Sequence, residues 1–150
     1  MPKDCRDTAL SYLERRARTA YEMKAHLLAK GFPEEEADGT LGYLQGLGYL
    51  DDAGYCREYI RYGKSKGWGP DRLRSALAEK GIDAALVWDV LEEAFDRQTE
   101  KEAALREAEK LLRLKSDTSV AKIGRKLLSL GYQSEVVEEV VGRLKAGEAD

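Results

Sequence analysis

The side chains best suited to acid–base, metal or thiol chemistry in this chain are the adjacent pair Asp51-Asp52, the solitary His26, and the cysteines Cys5 and Cys56. Two neighbouring carboxylates can ligate a cation or divide the roles of acid and base, but no third carboxylate or histidine stands at matching spacing. At a helix start the same oxygens accept unpaired backbone N–H groups and their charge opposes the positive end of the helix dipole, which is the role expected here. Neither cysteine belongs to a CxxC or lies near a histidine at ligand spacing, so both read as free thiols. His26 sits on a helical pattern without a partner motif and is expected to pack or to lie at the surface. Gly46-Leu47-Gly48 lacks the third glycine and the preceding strand of a dinucleotide site. Nucleophile, metal cluster and phosphate loop are all missing, so the chain reads as no enzyme, with no cofactor and no metal.

The same aspartates open an unusual stretch, GYLDDAGYCREYIRYGKSKGWGP, residues 48–70. At about 100° per residue, Tyr55, Tyr59 and Tyr62 share a stripe, Cys56, Ile60 and Gly63 lie beside it, and Arg57, Arg61 and Lys64 line the opposite side. The tyrosines can pack as core or between helical units, or stack on nucleic-acid bases. Lys66-Gly67-Trp68-Gly69-Pro70 reads as a loop whose indole either anchors a helix junction or waits for a partner. Arg57, Arg61, Lys64, Lys66, Trp68, Arg72 and Arg74 are therefore the candidate partner-binding residues.

The elements that must position them repeat. Leu27-Leu28-Ala29-Lys30-Gly31-Phe32, Leu77-Ala78-Glu79-Lys80-Gly81-Ile82 and Leu127-Leu128-Ser129-Leu130-Gly131-Tyr132 align without a gap, with glycines at 31, 81 and 131, a period of 50. The register extends through Met23, Leu73 and Ile123, through Ala37, Val87 and Val137, and through Leu41, Leu91 and Val141. Apolar positions recur at helical spacing, and the shared glycine suits the left-handed residue that ends a helix. The pattern predicts an all-α protein of three tandem three-helix repeats, about residues 1–50, 51–98 and 99–150, in an elongated, curved array, right-handed or crescent-like. Its helices are expected at 8–17, 19–30 and 33–47, then from Asp51 or Asp52 to Lys66, from Gly69-Pro70, and from an Asp83 cap to Arg97, then from Thr99 to Lys115 and near 118–130 and 134–145. Capping boxes are expected at Thr19-Ala20-Tyr21-Glu22 and Thr99-Glu100-Lys101-Glu102, and Pro33 suits a first turn.

Composition agrees with a helix-rich protein: 43% hydrophobic, 35% charged and three prolines. No run of eighteen apolar residues occurs, and Met1-Pro2-Lys3-Asp4-Cys5-Arg6 lacks the apolar stretch of a leader, so the expectation is a cytoplasmic protein without membrane contact. The formal charge of −3 conceals a segregation. Residues 33–47 carry Glu34, Glu35, Glu36 and Asp38 without a lysine or arginine, and 83–96 carry Asp83, Asp89, Glu92, Glu93 and Asp96 likewise. Cations gather on preceding segments: Arg15, Arg16, Arg18 and Lys24, then Arg57 through Arg74, then Lys122, Arg125 and Lys126. A helix-turn-helix module would place its last, here acidic, helix against DNA phosphates, which repel it. Pairs such as Glu102–Arg106 and Glu109–Arg113 are expected to neutralise part of the surface, and the remaining polarity suits a protein partner, a nucleoprotein surface, or both.

Gly48-Tyr49-Leu50-Asp51-Asp52, then Lys66-Gly67-Trp68-Gly69-Pro70 with Arg72-Leu73-Arg74 and Leu77, then Glu79-Lys80-Gly81-Ile82, resemble in order and spacing the RecX family, regulators of the bacterial RecA recombinase. Arg15-Arg16-Ala17-Arg18 and Glu22 through Phe32 resemble the family's first repeat, and Lys122 through Tyr132 its third. The usual arginine and phenylalanine after GYLDD are replaced by Ala53-Gly54-Tyr55, and Trp68 stands where another aromatic is frequent. The resemblance implies a non-enzymatic, monomeric modulator that binds RecA filaments on single-stranded DNA, with at most weak direct DNA contact. It implies reduced ATPase, strand-exchange and coprotease activity of RecA in DNA repair, recombination and the SOS response. The alternative is a helical-repeat protein that binds single- or double-stranded DNA directly.

Overall fold

The computed structural model describes residues 3–115 and 118–149. Met1 and Pro2, part of the start read as lacking a leader's apolar stretch, lie outside the described residues. Among the described residues there are nine α-helices and no strand: α1 Cys5–Arg15, α2 Ala20–Ala29, α3 Glu34–Gly46, α4 Asp52–Ser65, α5 Pro70–Glu79, α6 Ala84–Ala94, α7 Arg97–Leu114, α8 Val120–Ser129 and α9 Ser134–Ala149. The all-α expectation holds. No helix among these residues is long and apolar enough to cross a membrane.

Local sequence explains most boundaries. Thr19 forms the expected capping box, accepting from the Glu22 N–H while the Glu22 carboxylate accepts from the Thr19 N–H. The expected box at Thr99 does not form: α7 starts earlier because the Asp96 carboxylate accepts from the Thr99 N–H at 2.7 Å. Its bonds to Thr99 hold the Asp96 carboxyl below its ordinary range. Asp4 likewise accepts from the Asp7 N–H at 2.8 Å, so α1 begins at Cys5 and not near residue 8. Gly31, Gly81 and Gly131 adopt φ of 94°, 76° and 99°, where any side chain is strained. In each turn the next residue, Phe32, Ile82 or Tyr132, donates its N–H to the carbonyl five positions back, on Leu27, Leu77 or Leu127.

The chain divides into two compact units, Met1–Glu58 with Leu77–Val87, and Tyr59–Ala76 with Trp88–Asp150. Helices α4, α5 and α6 each contribute residues to both. In the first unit Cys5, Ala9, Met23, Leu27, Ala37, Leu44 and Leu50 form a buried cluster. In the second, Ala104 and Ala108 of α7 pack with Ile123, Leu127, Tyr132, Val136, Val137 and Val140. The registered positions Met23, Leu73, Ile123 and Leu27, Leu77, Leu127 are all fully buried, as burial of roughly 25 cal/mol per Å² of apolar surface favours. Both cysteines are free and buried, and burial pushes the Cys56 thiol up to about 11.

The charge segregation is partly consumed inside each unit. Lys24 of α2 meets Glu34 and Asp38 of α3 at 3.0 Å each, bonds that raise its pKa. Arg97 of α7 pairs with Glu135 and Glu139 of α9, and Lys101 reaches Glu139 at 3.3 Å, which lowers the Glu139 carboxyl. The expected pairs Glu102–Arg106 and Glu109–Arg113 do not close among the described residues; Glu102 instead accepts from the Gln98 amide at 3.0 Å. These side chains are exposed, so little energy favours closing them.

Candidate interaction surface

Asp51 and Asp52 both serve helix starts. Asp51 accepts from the Gly54 N–H at 3.0 Å at the start of α4, and Asp52 reaches α2, where it accepts from the Ala20 N–H at 2.9 Å. Two helix starts are thus satisfied by neighbouring carboxylates. Among the described residues no group of three or more His, Cys, Asp or Glu is placed to hold a metal ion.

The stripe that α4 buries is Cys56, Ile60 and Gly63; Tyr55 and Tyr59 are half-buried, and Tyr62 is 52% exposed. The reading of all three tyrosines as packing residues therefore fails at Tyr62. Its ring stands edge-on to Trp68 with centroids 5.6 Å apart, and Tyr59 lies 6.3 Å from the same indole. Above the indole face sits the Arg72 guanidinium, 4.2 Å from the ring, and Lys66 Nζ lies 5.5 Å from the Tyr62 ring. Tyr62, Lys66, Trp68 and Arg72 form one open aromatic and cationic cluster in the second unit, with Trp68 half-buried and the others exposed. The half-buried Trp68 thus packs its ring against Tyr59 and Tyr62, as the anchor reading expects, with the Arg72 guanidinium over its face.

A joint holds the loop in place. The Gly69 N–H donates to the Leu130 carbonyl at 2.7 Å, the Asp71 N–H to the Gly131 carbonyl at 2.8 Å, and the buried Tyr132 hydroxyl to the Gly67 carbonyl at 2.7 Å. Burial holds that hydroxyl well above its ordinary pKa, so it remains a donor. A Cβ on Gly69 would lie 2.5 Å from the Gly131 carbonyl, which is why this position is glycine. Glu100, 1% exposed, completes the turn by accepting both the Gln133 N–H at 2.8 Å and its side-chain amide at 2.7 Å. Burial raises the Glu100 carboxyl, against the pull of those two bonds.

The remaining candidates lie apart. Lys64 donates to the Ala94 carbonyl at 2.8 Å, at the end of α6. Arg74 pairs with Asp71 at 2.6 Å. Arg57 and Arg61 are exposed on α4, the first within the first unit and the second within the second. Sequence reasoning missed the first unit's counterpart of the cluster. Tyr12 and Arg18 stand fifty residues before Tyr62 and Trp68, and Arg18, 7% exposed, lies 3.7 Å over the Tyr12 ring. The period itself was the signal that pairs them.

The profile of the first RecX three-helix domain matches residues 5–44, and that of the second matches residues 51–91. The regulatory protein RecX of Legionella pneumophila (strain Corby) is 34% identical over 143 residues, 93% of this chain and 94% of that one. The chain belongs to the RecX family. RecX of Clostridium botulinum (strain Eklund 17B / Type B) is 32% identical over 146 residues, and the chain spans 66% of that relative's length. The crystal structure of RecX from Lactobacillus salivarius superposes with a TM-score of 0.83 at 25% identity over 95% of each chain. A second RecX crystal structure gives 0.76 at 28% identity, over 91% of this chain and 69% of that one. These relatives carry the name of regulatory proteins.

Proposed function

We propose that this protein regulates the RecA recombinase without catalysis of its own, by binding RecA filaments on single-stranded DNA and lowering their ATP hydrolysis, strand exchange and coprotease activity. The observation that carries the reading is the match to RecX regulatory proteins across more than nine-tenths of the chain. The open cluster of Tyr62, Lys66, Trp68 and Arg72 supplies a contact of the right chemistry. A half-buried indole under a guanidinium is held rigidly by the joint at Gly69, so ordering it on binding costs little entropy. Arg57, Arg61, Lys64 and Arg74 surround this proposal as weaker, charge-steering contacts. The three fifty-residue repeats are proposed to supply several modest contacts along neighbouring filament subunits, each raising the effective concentration of the next.

The test is RecA's single-strand-dependent ATP hydrolysis across a titration of this protein from below to equal RecA concentration. Inhibition at substoichiometric amounts is expected. Unchanged hydrolysis with the folded protein at equimolar concentration removes the reading.

A further inference from the structure

In the first unit several cations are matched: Arg16 meets Glu22 at 3.4 Å, Lys24 meets Glu34 and Asp38, Arg18 is buried over Tyr12, and Arg6 lies 3.7 Å over the Tyr43 ring. Lys3, Arg15 and Lys30 are not. Among the described residues none of the three takes part in an ion pair. All three line one cavity of about 260 Å³, together with Thr8, Ser11 and His26 and the ring of Tyr12, and its wall contains no carboxylate. Thr8, Ser11 and Arg15 succeed one another at spacings of three and four along α1, so one helix face supplies two hydroxyls and a guanidinium. Lys3 Nζ already donates to Ser11 Oγ at 2.7 Å.

Like charges converging on one cavity repel one another unless an anion joins them, and this occurs in a chain whose net charge is −3. The field registers on His26, whose pKa is held below its ordinary 6.5 first by burial and then by Lys30, Arg18 and Arg15. The anion's chemistry follows from the donors. A fork-shaped guanidinium, two ammonium groups and two hydroxyls exceed what the two oxygens of a carboxylate can accept, whereas a phosphate offers three or more. Size and stacking narrow it further. Ordinary small-molecule sites occupy roughly 300–1,000 Å³, and a cavity of about 260 Å³ lies just below them, a size that favours a small group such as a phosphate or diphosphate. The Tyr12 ring is already engaged: His26 lies parallel to it at 3.7 Å, and Arg18 sits over it at 3.7 Å.

We propose that the cavity between α1 and α2 binds a phosphate group, carried by a free nucleotide or by a nucleic-acid backbone. The proposal stands independently of the RecA reading, since it concerns binding by this chain alone. His26 is the sole histidine, so its imidazole resonance reports on the site without ambiguity. The full chain is titrated with inorganic pyrophosphate at constant ionic strength. A saturable shift of that resonance is expected, with a rise in the imidazole's pKa as the bound anion offsets the cations. The double variant Arg15→Gln/Lys30→Gln should bind at least about tenfold more weakly, the loss of one charge-assisted hydrogen bond or more. Arg113→Gln, an exposed cation on α7, should leave binding unchanged. Displacement of pyrophosphate by ATP alone assigns a free nucleotide, and displacement by a thymidine oligonucleotide assigns a backbone phosphate. Displacement by neither overturns the proposal, as does a shift no different from that given by chloride, or wild-type affinity in the double variant.

Discussion

Positions 12, 18 and 19 in the first unit and 62, 68 and 69 in the second occupy the same places in the fifty-residue register, yet the two ends of that register are finished differently. In the first, Arg18 is buried over Tyr12, and the Thr19 hydroxyl donates to the Lys80 carbonyl at 2.7 Å. In the second, Trp68 replaces the arginine, Tyr62 stays exposed, and Gly69 brings backbone against backbone at Leu130 and Gly131. The residue pairs at 19 with 80 and at 69 with 130 are therefore one joint built twice, once through a side chain and once through the main chain. The closer joint leaves its aromatic and cationic groups outside. That difference leaves one copy of the motif closed and the other open.

The comparison breaks most visibly at Gly69. Gly69→Ala should destabilise the protein by about 2–3 kcal/mol, because the added Cβ meets a main-chain carbonyl that cannot yield. Gly39→Ala, inside α3 with open space around its Cβ, should instead gain about 0.5–1 kcal/mol from helix propensity. Urea unfolding followed by circular dichroism reads both, and equal effects would deny that the second joint depends on close approach. Thr19→Ala should cost about 1–2 kcal/mol, less than Gly69→Ala, since it removes a cap and one hydrogen bond but introduces no clash.

The smallest effect concerns pH, and the two units should respond with opposite sign. His26 in the first unit has a lowered folded pKa, so its contribution is present above its ordinary 6.5 and is lost as pH falls toward the folded value. Glu100 in the second has a raised folded pKa, so its contribution is present below its ordinary 4.5 and is lost as pH rises through the folded value. Comparing urea midpoints at several pH values, His26→Gln should flatten the first dependence and Glu100→Gln the second. If either variant retains the wild-type slope, that group is not its source.

Much of the frame was legible before any coordinates. The period of glycines at 31, 81 and 131, the Thr19 box and the apolar register all encode local geometry, and local geometry is what sequence pattern reports. The misreadings were tertiary or came from competing caps. Asp96 displaced Thr99 as a cap because its carboxylate accepts from the N–H of Thr99 itself, which starts the helix one turn earlier. Asp52 serves a helix thirty-two residues away, and Tyr62 faces out because Gly63 admits Leu73 and Trp68 beside α4. Of the seven candidates only Lys66, Trp68 and Arg72 come together; helical spacing grouped Lys64 with Arg57 and Arg61, but the α6 carbonyl at Ala94 takes the Lys64 side chain.

The central claim is that the open copy of the motif, and not the closed one, meets the RecA filament. Its most direct test is RecA's single-strand-dependent ATP hydrolysis in the presence of Trp68→Ala/Arg72→Gln, with wild type alongside and circular dichroism confirming the fold. Inhibition weakened at least about tenfold, as loss of an interfacial indole and its cation entails, is the expected result. Inhibition equal to that of wild type would contradict the claim and move the contact to another face of the protein.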